Sequence, residues 1–167
     1  AVPGPSAVLT ALALSGLPTD RFCFEGFLPR KAGERASRLA DLAGERRTMV
    51  FFEAPHRLEA MLRALRERFG PDRPIAVCRE LTKTYEEVIR GTVGELLTWA
   101  EENEVRGEIA VVLGGAPEQP AGTPEDHVAA VNELVNQGIR LKEAVAAVAD
   151  DARVSKRELY SAVLAAR

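Results

Sequence analysis

An α/β unit of about 115 residues followed by a tail of three short helices is the architecture the sequence predicts, on three observations. Two apolar runs, Thr48–Phe52 and Glu108–Leu113, are continuous, as expected of strands covered on both faces. Apolar residues recur at helical spacing between these runs. Beyond Gly114 the strand pattern stops, and the Pro/Gly stretch Gly-Gly-Ala-Pro-Glu-Gln-Pro-Ala-Gly leads into a wholly helical segment. The expected division is residues 1–116, a linker over 117–123, and a helical domain over 124–167.

Taken in order, Pro3-Gly4-Pro5-Ser6 forms a turn, and Pro5 or Ser6 starts a helix through Ala7–Leu14 that Gly16-Leu17-Pro18 ends. Arg21–Phe24 is a short strand, with a turn expected at Gly26-Phe27-Leu28-Pro29. Residues 33–45 have helical composition. After the Thr48–Phe52 strand, Leu58, Met61, Leu62, Leu65 and Phe69 fall on one helical face, with Gly70 as the stop. Pro74–Cys78 and Tyr85–Arg90 are the next strands, and Thr92-x-x-Glu95 is a capping box opening a helix through Glu102. In the tail, helices are expected over Pro124–Gln137, Leu141–Asp150 and Ser155–Ala166, around a small core of valines and leucines.

Composition narrows the function classes. Hydrophobic residues are 46% of the 167 and charged residues 28%, ordinary for a globular chain with a core of its own. No apolar stretch approaches the roughly 18 to 20 residues of a membrane-spanning helix, so a cytoplasmic location is the expectation. Cys23 and Cys78 lack metal-ligand spacing and are expected as small buried strand residues. The net charge of −3 conceals a basic middle: residues 21–90 carry 15 Lys and Arg against 11 Asp and Glu. Such a segment is either the footprint of a polyanion or a set of solvated helix faces.

Two polar loops follow predicted strands, where open α/β sheets bind ligands. They are Glu53-Ala54-Pro55-His56-Arg57 and Arg79-Glu80-Leu81-Thr82-Lys83-Thr84. The second gathers two cations, a carboxylate and two hydroxyls, which suits a charged ligand, although a solvated loop would look alike. His56 is a surface residue or a base, and His127 an ordinary helix residue. Phosphate-loop, dinucleotide-binding, serine-hydrolase and zinc-protease motifs are absent from the sequence.

Pro-Gly-Pro-Ser at 3–6, Ser15–Phe22, Glu25–Pro29, Phe51–Leu58, Arg79–Thr84 and Gly94–Leu97 together resemble the ribosomal RNA small-subunit methyltransferase I family. The tail resembles that family's C-terminal helices at Leu141–Ala144 and Ser155–Tyr160. The resemblance implies the C-terminal, mixed-sheet subdomain of the tetrapyrrole-methylase fold followed by a small three-helix, helix-turn-helix-like domain. It further implies methyl transfer from S-adenosylmethionine to the ribose 2′-hydroxyl of a cytidine in 16S rRNA, within the small ribosomal subunit, by a homodimer without metal. Family members begin with a further subdomain carrying a Gly-rich cofactor segment, so the chain is expected to hold half of the cofactor cleft and to be inactive alone. Carried over by position, the cofactor would meet Pro5, Ser6, Phe52, Glu53, Ala54, Leu81, Thr82, Glu108 and Ile109, although Phe52 and Ile109 could equally be core. Glu80, Lys83 and His56 are the groups able to assist proton removal. Arg57, Arg63, Arg66, Lys142, Lys156 and Arg157 are the expected RNA contacts. The alternatives are a tetrapyrrole carbon methyltransferase, sharing fold and cofactor, and a non-enzymatic nucleic-acid-binding module.

Overall fold

The computed structural model describes residues 1–117 and 122–166. Residues 118–121 of the expected linker and Arg167 of the expected helical domain lie outside the described residues. Two compact units meet in sequence at Pro117/Glu118.

The first unit is a five-stranded mixed sheet with helices on both faces. Its elements are α1 (Ala7–Ser15), β1 (Phe22–Phe27), α2 (Ala32–Asp41), β2 (Thr48–Glu53), α3 (Leu58–Phe69), β3 (Pro74–Arg79), β4 (Glu87–Thr92), α4 (Val93–Glu102) and β5 (Ile109–Leu113). The strand order is β1-β2-β5-β3-β4. β1 and β2 are parallel, and the last strand, β5, inserts antiparallel to both β2 and β3. Each central strand divides its side chains by period two. Met49, Phe51, Ile75, Val77, Ile109, Val111 and Leu113 enter the core under α2, α3 and α4. Val50, Ala76, Cys78, Ala110 and Val112 face α1, and their small size lets that helix lie close. Burial on both faces explains why β2 and β5 are unbroken apolar runs.

Two expectations need correction. Gly26 and Phe27 of the turn expected at Gly26–Pro29 belong to β1, because a register shift between Phe24 and Gly26 absorbs the glycine, at φ +68°, as a bulge and the strand ends only at Phe27. The strand expected from Tyr85 begins only at Glu87, because a turn closed by the Glu86 N–H on the Lys83 carbonyl at 3.1 Å occupies the intervening residues. Both cysteines lie in strands as expected, Cys78 buried in β3 but Cys23 only half-buried in β1, and burial pushes both thiols up to about 11. Both remain protonated and unreactive near neutrality.

The second unit packs α5 (Val128–Asn136), α6 (Leu141–Ala152) and α7 (Lys156–Ala165) around Val131, Ala144, Val145, Ala149, Leu159 and Val163. A short 3₁₀ turn, Pro124–His127, opens it under the Thr123/Asp126 capping box. Between α6 and α7, Arg153 adopts a left-handed conformation and Ser155 caps the Glu158 N–H, which makes a three-residue turn between two helices.

Candidate functional site

One end of the sheet collects nearly every residue expected to meet the cofactor. Phe27 pairs with Phe52, and Glu53 and Arg79 both pair with Ile109, so the carboxyl ends of β1, β2 and β3 stand beside the amino end of β5. The exits then diverge. After β2 the chain turns through Pro55–Arg57 into α3 on one face, whereas after β3 Leu81 packs into the α1 cluster on the other. Divergence about a strand that runs the other way puts the crevice expected of open α/β sheets, the place where they take ligands, above Glu108 and Ile109. The α1 helix joins the same end. Thr48 Oγ1, at the start of β2, donates to the Pro18 carbonyl at 2.6 Å, and Arg90 Nε donates to the Leu14 carbonyl at 2.9 Å. These bonds hold the α1 carboxyl terminus at the opposite end, so its amino terminus at Pro5 and Ser6 points toward the crevice. Ser6 caps the Leu9 N–H, and the first turn has no acidic side chain.

The loop after β3 is pinned rather than slack. The Glu80 N–H donates to the Glu108 carbonyl at 3.0 Å, and the Glu108 N–H donates to Glu80 Oε1 at 2.8 Å. Lys83 Nζ donates to Glu80 Oε1 at 3.0 Å and to Glu108 Oε2 at 2.9 Å. The Thr82 N–H donates to Glu86 Oε2 at 2.6 Å. Gly107, at φ +88°, lies so near that a Cβ there would meet the Glu80 side chain at 2.5 Å. Glu80 and Thr82 are held at φ of 51° and 65°, a conformation of order 1–3 kcal/mol above the ordinary for residues other than glycine. Glu80 and Lys83 therefore meet, and they shape the loop that carries Leu81 and Thr82.

The Glu108 N–H and then the Lys83 ammonium hold the Glu80 carboxyl below its ordinary 4.5, and Glu108 and Glu80 hold the Lys83 ammonium above its ordinary 10.5. A lowered carboxyl contributes stability that is present above its unfolded value and lost as pH falls through the folded one. A raised ammonium contributes below its unfolded value and loses that as pH rises through the folded one. The loop is expected to stay pinned between pH 4.5 and 10.5 and to loosen only in stronger acid or stronger base. The Glu108 amide proton resonance reports this: constant near neutrality, with one titration below 4.5. A transition at or above that value would contradict the assignment.

At the β2 exit, Glu53 is 3% exposed. Its Oε1 accepts from the Ala54 N–H at 2.9 Å and lies 3.2 Å from Arg57 Nε, while Arg57 Nη2 donates to the Leu28 carbonyl at 2.7 Å. One guanidinium thus ties the exits of β1 and β2 together. His56, in the same turn, is exposed and has no hydrogen-bond or ion-pair partner among the described residues. Phe52 is half-buried, packed edge-on by Phe24 and Phe27 at centroid distances of 4.9 and 5.9 Å. Phe24 and Phe27 are 50% and 62% exposed, and the neighbouring α1 contains no charged residue although Leu9 and Ala13 face outward. Ile109 is core.

The expected RNA contacts separate into two groups. Arg57 is turned inward as described, Arg63 pairs with Glu59 at 2.8 Å and Glu101 at 2.7 Å, and Lys156 pairs with Asp150 at 2.9 Å. Arg66, Lys142 and Arg157 are exposed without an ion-pair partner among the described residues. In the second unit Arg157 lines an open groove of roughly 690 Å³ with Ser155, Glu158 and Ser161. Among the described residues no group of three or more His, Cys, Asp or Glu could hold a metal, and no helix is long and apolar enough to cross a membrane. Sequence reasoning passed over Gly107 and Tyr85. An aromatic residue inside a run of polar ones was the available signal for Tyr85, and the strand assignment obscured it.

Comparison with known proteins supplies the family. Residues 1–97 match the Tetrapyrrole (Corrin/Porphyrin) Methylases. The chain is 53% identical over 167 residues to the ribosomal RNA small subunit methyltransferase I of Mycobacterium tuberculosis strain H37Rv, covering 99% of this chain and 58% of that one. It is 42% identical over 170 residues to the protein of the same name from Bacillus subtilis, covering 96% and 57%. The chain thus spans a little over half the length of these relatives. Among solved structures it is similar to the methyltransferase CobJ, with a TM-score of 0.53 and 26% identity over 72% of this chain and 52% of that one. A mixed sheet with β5 inserted between parallel strands and a family match over more than half of the residues agree: the chain belongs to the tetrapyrrole methylase family.

Proposed function

We propose that this chain forms part of an S-adenosylmethionine-dependent methyltransferase acting on the ribose 2′-hydroxyl of a cytidine in 16S rRNA, in the cytoplasm. The observation that supports the reading is the convergence of Ser6, Phe52, Leu81, Thr82 and Glu108 at one end of the sheet, in a chain 53% identical to a relative named ribosomal RNA small subunit methyltransferase I. The residues present fit the cofactor. Free amides at the start of α1, with no acidic side chain beside them, suit a carboxylate. The faces of Phe52 and Leu81, both half-buried, suit an adenine. When bound, the cofactor supplies an activated methyl group on a sulfonium. What remains for the chain is to align the ribose oxygen and to ease loss of its proton. Lys83, kept protonated between two carboxylates, is suited to balancing negative charge on that oxygen rather than to taking the proton. Glu80 is already engaged by two donors, which leaves the unpartnered His56 as the better placed acceptor.

Supplied with labelled cofactor, the protein expressed from its complete gene is expected to label 16S rRNA when small ribosomal subunits and a uroporphyrinogen-type macrocycle are offered together. Label in the macrocycle instead would establish the tetrapyrrole alternative. The RNA path is assigned to Arg66 and, in the second unit, to Lys142 and Arg157, with the α6–α7 pair read as a helix-turn-helix-like element. Arg66→Gln and Arg157→Gln are each expected to flatten the log–log salt dependence of subunit binding by about one unit, and Arg63→Gln by much less, because Arg63 is already neutralised. Unchanged slopes for Arg66 and Arg157 would move the path elsewhere. The exposed Phe22, Phe24 and Phe27 support association as a homodimer, which sedimentation of a Phe24→Ser/Phe27→Ser variant would test.

A further inference from the structure

We propose that Tyr85 is the surface on which a nucleobase of the RNA substrate stacks, and that it thereby sets the position of the target nucleotide. This rests on the RNA reading above and adds to it a residue that acts in recognition. Tyr85 is 74% exposed, the largest exposure of any aromatic side chain among the described residues. The loop that carries the ring is pinned by hydrogen bonds. Glu80 is bonded to Glu108 in both directions, Lys83 bridges Glu80 and Glu108, and the Glu86 carboxylate takes the Thr82 N–H. The Lys83 N–H donates to the Glu80 carbonyl at 2.9 Å, and the Glu86 N–H donates to the Lys83 carbonyl at 3.1 Å. That second bond closes a turn with Thr84 and Tyr85 at its centre. Just before it, Glu80 and Thr82 are held in left-handed backbone. Strain maintained by so many bonds, with an unpacked ring at the tip, points to a ring placed for contact with something else.

The surroundings indicate what that is. The loop stands at the carboxyl end of β3, beside the crevice where the cofactor segments converge. Thr84 supplies a hydroxyl next to the ring, whereas Lys83, two residues away, is already engaged by Glu80 and Glu108. A hydroxyl beside an exposed aromatic face suits a single-stranded nucleotide: the hydroxyl for the sugar, stacking for the base. Stacking of a base on an aromatic platform fixes its nucleotide, and with it the ribose hydroxyl, against the crevice. The ring geometry requires no hydroxyl, so another aromatic should serve.

The test uses the protein expressed from its complete gene, small ribosomal subunits as substrate, and three variants, Tyr85→Ala, Tyr85→Phe and Tyr85→Trp. Tyr85→Ala is expected to raise KM for the subunits about tenfold, in line with the loss of one stacked base, with cofactor affinity and thermal midpoint unchanged. Tyr85→Phe and Tyr85→Trp are expected to stay within about twofold of the unmodified protein. Equal KM for Tyr85→Ala overturns the proposal while leaving the RNA reading in place. Loss in Tyr85→Phe as large as in Tyr85→Ala overturns it as well, in favour of a hydroxyl contact. A fall in cofactor affinity in Tyr85→Ala overturns it in favour of a role in the cofactor pocket. No transfer to subunits by the unmodified protein overturns the RNA reading, and this proposal with it.

Discussion

Replacing Arg57 with alanine is expected to lower the free energy of unfolding by about 3 kcal/mol, the scale for removing one partner of a buried ion pair. The Glu53 side chain is 1% exposed, and without the guanidinium only the Ala54 N–H remains to compensate its charge. The Leu28 carbonyl loses its donor in the same step. Unlike an exposed pair such as Arg63 with Glu59, where solvent replaces the partner, this site gives water little entry. The double variant Glu53→Met/Arg57→Met is expected to lose clearly less than Arg57→Ala, because it removes the buried charge together with its partner. Urea unfolding followed by circular dichroism measures all of these. A loss below 1 kcal/mol for Arg57→Ala would show that the exits of β1 and β2 are held by something other than this pair.

The second large effect is expected on activity rather than stability. Glu80→Ala removes the acceptor of the Glu108 N–H and one of the two anchors of Lys83. The left-handed backbone at Glu80 and Thr82 then relaxes, and the loop shifts at the crevice. Displacement of about 1 Å is enough for a hundredfold loss where two reactants must be aligned, so kcat/KM for methyl transfer is expected to fall about that much. Stability should change by about 1 kcal/mol or less, as for most changes in surface loops. Glu80→Gln keeps an oxygen for the Glu108 N–H and loses the charge opposite Lys83, so its activity should lie between the two. Full activity in Glu80→Ala would return the loop to a solvated turn with no part in the reaction.

The parts of this fold that were legible in the sequence are those whose signal is local. The strand β2 shows as an apolar run because both of its faces are covered, and α3 shows as Leu58, Met61, Leu62 and Leu65 on one face. The capping box of α4 is a four-residue pattern, and it formed. Failures came where one glycine or one turn changed the meaning of its neighbours. Gly26 looks like a turn residue, but within a paired strand its left-handed conformation makes a bulge. Tyr85 has high strand propensity, but hydrogen bonds among Glu80, Lys83 and Glu86 hold it in a turn. In the candidate site, the loop Arg79–Thr84 was recognisable from its density of polar residues. Its anchoring to Glu108 was not, because the partners lie 28 residues apart and only the antiparallel insertion of β5 brings them together. The spacing of Glu53 and Arg57 was equally visible, yet four-residue spacing is shared by surface pairs, and burial alone gives this one its importance.

The central claim is that the methyl group goes to a ribose oxygen of the small-subunit RNA. A 2′-O-methyl group removes the nucleophile that alkali uses to cleave the adjoining phosphodiester, so the position of transfer can be read chemically. Small ribosomal subunits treated with labelled S-adenosylmethionine and the protein expressed from its complete gene should yield, after alkaline hydrolysis of the 16S rRNA, label confined to an alkali-resistant dinucleotide beginning with cytidine. Label recovered in mononucleotides would place the methyl group on a base and contradict the account.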